Sequence, residues 1–172
     1  FLTDVPVLVR LTPERVDYTS FAADGRDILV ADAGGAPLDF EIERWVPGGE
    51  STLWVRIPAI GEGASSHFWL HWNNPAATNA ANPAGVWGTN YVGVWHFSET
   101  NAILSDSTPG AHAATNSGSV SVSGLLGNAL NFRGSDSLLV PPAAFSAISS
   151  AVSISFWQYG STNQPLRAIC FD

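Results

Sequence analysis

Short runs of alternating apolar and polar residues, cut by Gly and Pro, cover most of the chain and predict strands rather than helices. The first run is Val5 to Leu11, where Pro6 points to a sheet edge or a first strand position. Ile28 to Asp32 is predicted to pair with Leu38 to Trp45 as a hairpin across Ala33-Gly-Gly-Ala36. In the returning strand Phe40 and Ile42 share one face, while Asp39, Glu41 and Glu43 share the other. Leu53, Val55 and Ile57 then form an apolar row with Trp54 and Arg56 opposite it. In His67 to Trp72 the row Phe68, Leu70 and Trp72 opposes His67, Trp69 and His71. Strands in this order, with no sustained helical period, predict a small antiparallel β-sandwich over residues 1–72.

Residues 73–89 are small and polar, with Pro75 and Pro83, and read as a linker holding at most one helical turn. The strand pattern then starts afresh. Val92-Gly-Val-Trp-His-Phe97, Val120 to Val122, Gly127 to Phe132 and Ser137 to Val140 are predicted to be extended. Val152-Ser-Ile-Ser-Phe-Trp157 alternates strictly, and Ala168 to Phe171 would be its hairpin partner.

The stretches VWHFSE, DSTPGAHAAT, GLLGNALNFRGSDSLLVP and SSAVSISFWQYG resemble the opening half of a laminin-G-like, concanavalin-A-like jelly roll. The stretches LTDVPVLVRL, DFEIERW, STLWVRIPAI and WLHWNNP resemble a bacterial domain family of unknown function that often precedes a laminin-G-like domain in secreted or surface proteins. Together they imply an all-β chain: an antiparallel β-sandwich followed by a partial jelly roll over residues 90–172. They also imply a first domain lacking its first strand, and a second completed by further polypeptide or by a partner chain adding strands.

Charged residues make up 13% of the chain, against roughly 25% in ordinary soluble domains. Seven arginines, no lysine and fifteen acids give a net charge of −8, which repels phosphate backbones and argues against a nucleic-acid partner. The single Cys170 cannot close an intramolecular disulfide. No apolar run approaches the roughly 20 residues of a membrane span.

Candidate chemistry is sparse. Asp39, Glu41 and Glu43 recur at strand spacing, about 6.5–7 Å apart, within reach of a retaining glycosidase pair. The row resembles the acidic strand of one jelly-roll glycoside hydrolase family, but the order of acids differs and the domain is small for a sugar cleft. A solvated acidic face is the expectation for this row. His67 and His71 stand roughly 13 Å apart along one strand, too far to share a metal ion directly, and His96 is expected to be structural. Laminin-G-like sandwiches often hold a structural Ca²⁺, and the resemblance makes the turn acids Asp106 and Asp136 the residues to test for it. Trp45, Trp54 and Trp69, with Arg56 beside them, could form a shallow platform stacking on sugar rings. Trp72, Trp87 and Trp95 are expected in a contact between domains. The sequence therefore predicts a non-catalytic, extracellular or cell-surface recognition or adhesion module, with a polysaccharide or a surface protein as partner. A structural or assembly module of a surface protein is the first alternative, and a glycoside hydrolase using the Asp39/Glu41/Glu43 strand the second.

Overall fold

Two long strands carry the first sheet. In the computed structural model, which describes residues 1–61 and 67–160, β1 (Leu2–Leu11) runs antiparallel to β4 (Ser51–Ile60) along almost its whole length. Of the strands β2 (Leu29–Asp32), β3 (Phe40–Arg44) and β5 (Phe68–His71), β3 joins this sheet in the order β1-β4-β3. Pro6 is tolerated because β1 is an edge strand, paired on one side only. β2 and β5 form the second layer, with Val30 opposite Leu70. Leu11, Tyr18, Phe21, Ile28, Val30, Phe40, Leu53 and Val55 fill the space between the layers. The architecture is all-β and antiparallel, and it agrees with a sandwich.

The predicted hairpin between β2 and β3 does not form as a two-strand unit. The turn itself is tight: the Asp32 carboxylate accepts from the Gly34 and Ala36 N–H groups at 2.8 and 2.9 Å, and Gly35 adopts φ +88°. One bridge, Ala31 to Pro37, and a bond from the Leu38 N–H to the Val30 carbonyl follow. The chain then crosses to β4, setting Phe40 opposite Val55 and Ile42 opposite Leu53. Burial decides this. Phe40 is 1% exposed between the layers, a position that a flat hairpin with β2 would not give it.

Tyr18 locks the corner of the sandwich. Its hydroxyl donates to the Leu11 carbonyl at 2.9 Å and accepts from the Ser51 N–H at 3.2 Å. Tyr18→Phe leaves both buried backbone groups short of a partner, so a loss of about 1–3 kcal/mol is expected in urea denaturation. An unchanged midpoint would show that water replaces the hydroxyl there.

The predicted linker 73–89 ends in structure. Helix α1 (Pro83–Trp87) begins with Pro at a permitted position, and its N-cap Asn82 accepts from the Gly85 N–H. Asn82 is itself pinned to β3, donating its backbone N–H to the Phe40 carbonyl at 2.8 Å and its amide to Asp39 at 2.8 Å. Val86 and Trp87 are buried. This helix covers the face of the first sheet that points away from the core.

In the second half, β6 (Ile103–Leu104), β7 (Ala114–Ser117) and β10 (Ser137–Leu139) form an antiparallel sheet ordered β10-β7-β6, while β8 (Val120–Ser123) and β9 (Asn128–Asn131) form a hairpin. Two predicted strands are not laddered. Val92 to Phe97 is held by other means: the Val94 N–H donates to Asp106, the Val94 carbonyl accepts from Ser107, and the Trp95 indole donates to the His112 carbonyl. Val152 to Trp157 has no ladder partner among the described residues, and Val152, Ile154 and Phe156 are about half exposed. Its predicted partner, 168–171, lies outside the described residues, as does Cys170. No helix among the described residues is long and apolar enough to cross a membrane.

Candidate functional site

The acidic strand is where the two halves meet. β3 carries a bulge between Ile42 and Arg44, which leaves Glu43 as the extra residue in its pairing with β4. Glu41 and Glu43 both point away from the core, onto the face that α1 and residues 92–108 cover. Neither is solvated: their side chains are 10% and 4% exposed. This corrects the expectation of a solvated acidic face, and the reason is coverage by Trp87, His96 and Ser107, 46 to 66 positions beyond Glu41.

His96 lies between the two carboxylates, itself 14% exposed. Its Nε2 is 3.1 Å from Glu41 Oε2, and its Nδ1 is 2.5 Å from Glu43 Oε2. With an ionised carboxylate facing each ring nitrogen, both nitrogens must donate, which is the imidazolium form. Neutral donors complete the set. The Trp87 indole donates to Glu41 Oε2 at 2.6 Å, the Ser107 hydroxyl to Glu41 Oε1 at 2.6 Å, and the Trp54 indole to Glu43 Oε2 at 2.8 Å. The rings also pack, with Trp87 5.2 Å from Trp54 and 5.7 Å from His96 between centroids.

Burial works against the charge on His96, but the hydrogen bonds and the charges of Glu41 and Glu43 outweigh it and push its pKa up to about 9. For Glu41 too, burial opposes ionisation. The bonds from His96, Ser107 and Trp87 prevail, together with the imidazolium charge, and hold its carboxyl below the usual range. A general acid for glycoside cleavage needs a raised carboxyl pKa, and Glu41 moves the opposite way. The His96 ring, protonated on both nitrogens, has no lone pair to act as a base near neutrality. These contacts tie β3, α1 and the 92–108 segment together as a clasp. Beside it lies a cavity of about 300 Å³, lined by Glu41, Glu43, His96, Ser98, Glu99 and Ser105 among others.

Asp106 organises the loop that presents Ser107. Its carboxylate accepts from the Val94, Thr108 and His112 N–H groups and from the Thr108 hydroxyl, two bonds to each oxygen. All four lone-pair positions are taken, so Asp106 does not fit a calcium ligand. Asp136 accepts from the Arg133 N–H at 2.7 Å within its own turn. Among the described residues, no group of three His, Cys, Asp or Glu is arranged to hold a metal ion.

The four sugar-platform candidates do not come together. Trp45 is half-buried against Tyr18 and Phe21, with its indole donating to the Ala23 carbonyl at 3.0 Å. Trp54 belongs to the clasp. Arg56 pairs with Asp4 at 2.8 Å and donates to the Gly85 carbonyl at 3.2 Å. Trp69 alone stands clear, 53% exposed on β5, with the His67 ring edge-on at 5.4 Å. Nothing in the local sequence around Glu41 points to Trp87 or Ser107, which lie 46 and 66 positions away. One signal was present: with fifteen acids and seven cations, buried acids must find neutral N–H and O–H donors, and tryptophan is abundant here.

Residues 24–109 match the model of a family described as a domain of unknown function (DUF2341), a span that includes every residue of the clasp. No curated protein and no solved structure matches the chain.

Proposed function

Taking as premise that the chain belongs to the DUF2341 family, we propose that it is a non-catalytic recognition or adhesion module of an extracellular or cell-surface protein, with polysaccharide as its ligand. In this reading residues 90–172 open a laminin-G-like sandwich whose first stretch, residues 90–109, is shared with the family match, so the clasp ties that stretch to β3 within the family domain. The resemblance of both halves to modules of secreted proteins supports the setting. The observation that carries the binding role is Trp69, a large apolar ring left 53% exposed on a strand face, while Tyr18, Phe21 and Phe40 are buried in the core. Glu41 and Glu43 both bond to His96, and the Glu41 carboxyl is held below the usual range, which favours recognition over cleavage. Affinity electrophoresis against a panel of plant and microbial polysaccharides tests this. Wild-type protein is expected to be retarded by at least one of them, and Trp69→Ala to weaken that binding about tenfold or more. Equal retardation of the two proteins would remove Trp69 from the reading.

A further inference from the structure

Trp69 does not stand alone on its face. Directly opposed residues in an antiparallel sheet share a face. Ala31 is opposed by Trp69 on one side and bridged to Pro37 on the other, so Pro37, Ala31 and Trp69 form one row across three strand segments. Pro37 and Trp69 are exposed, while Ala31 between them is only 3% exposed. The small residue keeps the middle of the row low between two ring-bearing neighbours. The ends of the row are two inter-strand spacings apart, about 9.6 Å. In the next row Leu29, 38% exposed, faces the exposed His71, and His67 flanks the indole. None of the residues of these two rows, Pro37, Ala31, Trp69, Leu29 and His71, is an arginine or a carboxylate, and the Asp27 carboxylate beyond them is buried and accepts from the Ala22 and Asn73 N–H groups. Asp32 points to the other side and spends its carboxylate on its own turn.

We infer that the Pro37–Ala31–Trp69 row is a flat shelf for an uncharged polysaccharide laid across the strands, with Pro37 as a second contact residue. The inference rests on the recognition role proposed above and narrows its ligand class. The flat Trp69 indole suits the C–H face of one sugar unit, the saturated Pro37 ring offers an apolar contact to a neighbouring unit across the Ala31 methyl group, and the imidazoles of His67 and His71 supply hydrogen bonds at the margin. Among the described residues of the row a polyanion finds no arginine, and it meets a chain of net charge −8. A polycation finds no exposed carboxylate among the described residues of the row.

The test is affinity electrophoresis of the whole chain in uncharged β-glucan, xylan and mannan, in pectate and in chitosan, between roughly 0.05 and 0.5 M NaCl. Retardation is expected in an uncharged polymer alone and unchanged by salt. Pro37→Ala should weaken it by about threefold to tenfold. Trp69→Ala should weaken it about tenfold or more, while Trp69→Phe, which keeps a flat ring, should retain most of it. Because Pro37 lies beside a turn, each variant's thermal midpoint is measured alongside. Binding confined to pectate or chitosan and lost at high salt overturns this inference and leaves the recognition role standing. So does a folded Pro37→Ala variant that binds like the wild type. Retardation by none of the polymers overturns both.

Discussion

His96→Ala is expected to cost about 3–5 kcal/mol of folding stability at neutral pH, because removing one partner of a buried ionic set strands the others. Glu41 and Glu43 would remain side by side under α1 with only the Trp87, Ser107 and Trp54 donors to hold them. One of the two carboxyls would then have to take a proton or draw in water. The effect should depend on its neighbour. In Glu41→Gln the imidazolium keeps Glu43, so adding His96→Ala strands one charge instead of two. The double variant should therefore lose clearly less than the sum of the singles in urea denaturation. Additivity within about 0.5 kcal/mol would mean that the groups act independently.

The pH dependence follows from the same three residues. His96 has a folded pKa of about 9 against an ordinary 6.5. Its contribution is thus fully present below pH 6.5 and is lost as pH rises through about 9. The full difference is worth about 3 kcal/mol. Glu41 is shifted down, so its contribution is present above its ordinary 4.5 and is lost as pH falls below that value. These are two views of one coupled set and do not add. Stability should form a plateau between about pH 5 and 6.5 and decline on the alkaline side, where an ordinary surface histidine would leave no slope. Denaturant midpoints from pH 5 to about 10 measure it, and the difference curve against His96→Ala isolates this residue. Parallel curves for the two proteins would contradict the assignment.

How much of this was legible in the sequence depends on how local the information is. The strand alternation around Leu53–Ile57 and Phe68–Trp72 located β4 and β5 because the apolar row of each must face the core. Pairing was less accessible. Ile28–Asp32 and Leu38–Trp45 look like a hairpin locally, yet the need to bury Phe40 between the layers sends β3 to β4 instead. The alternation of Val152–Trp157 is equally regular, but a ladder needs a partner, and none lies among the described residues. The acidic row shows the limit most sharply. Spacing correctly put Glu41 and Glu43 on one face, but whether that face meets water depends on Trp87, His96 and Ser107, between 46 and 66 positions away from Glu41. The same distance effect scattered the tryptophans. Trp54 and Trp69 look alike on their strands, yet one is covered by α1 and its indole is used by Glu43, while the other is left open beside Ala31.

The central claim is that His96 is a buried, doubly protonated cation that clasps two carboxylates. Nitrogen-15 NMR of the ring during a pH titration reads this directly. Both ring nitrogens should show the imidazolium signature at pH 7 and titrate near pH 9. A neutral single-tautomer spectrum at pH 7, or a titration at or below the ordinary 6.5, would contradict it.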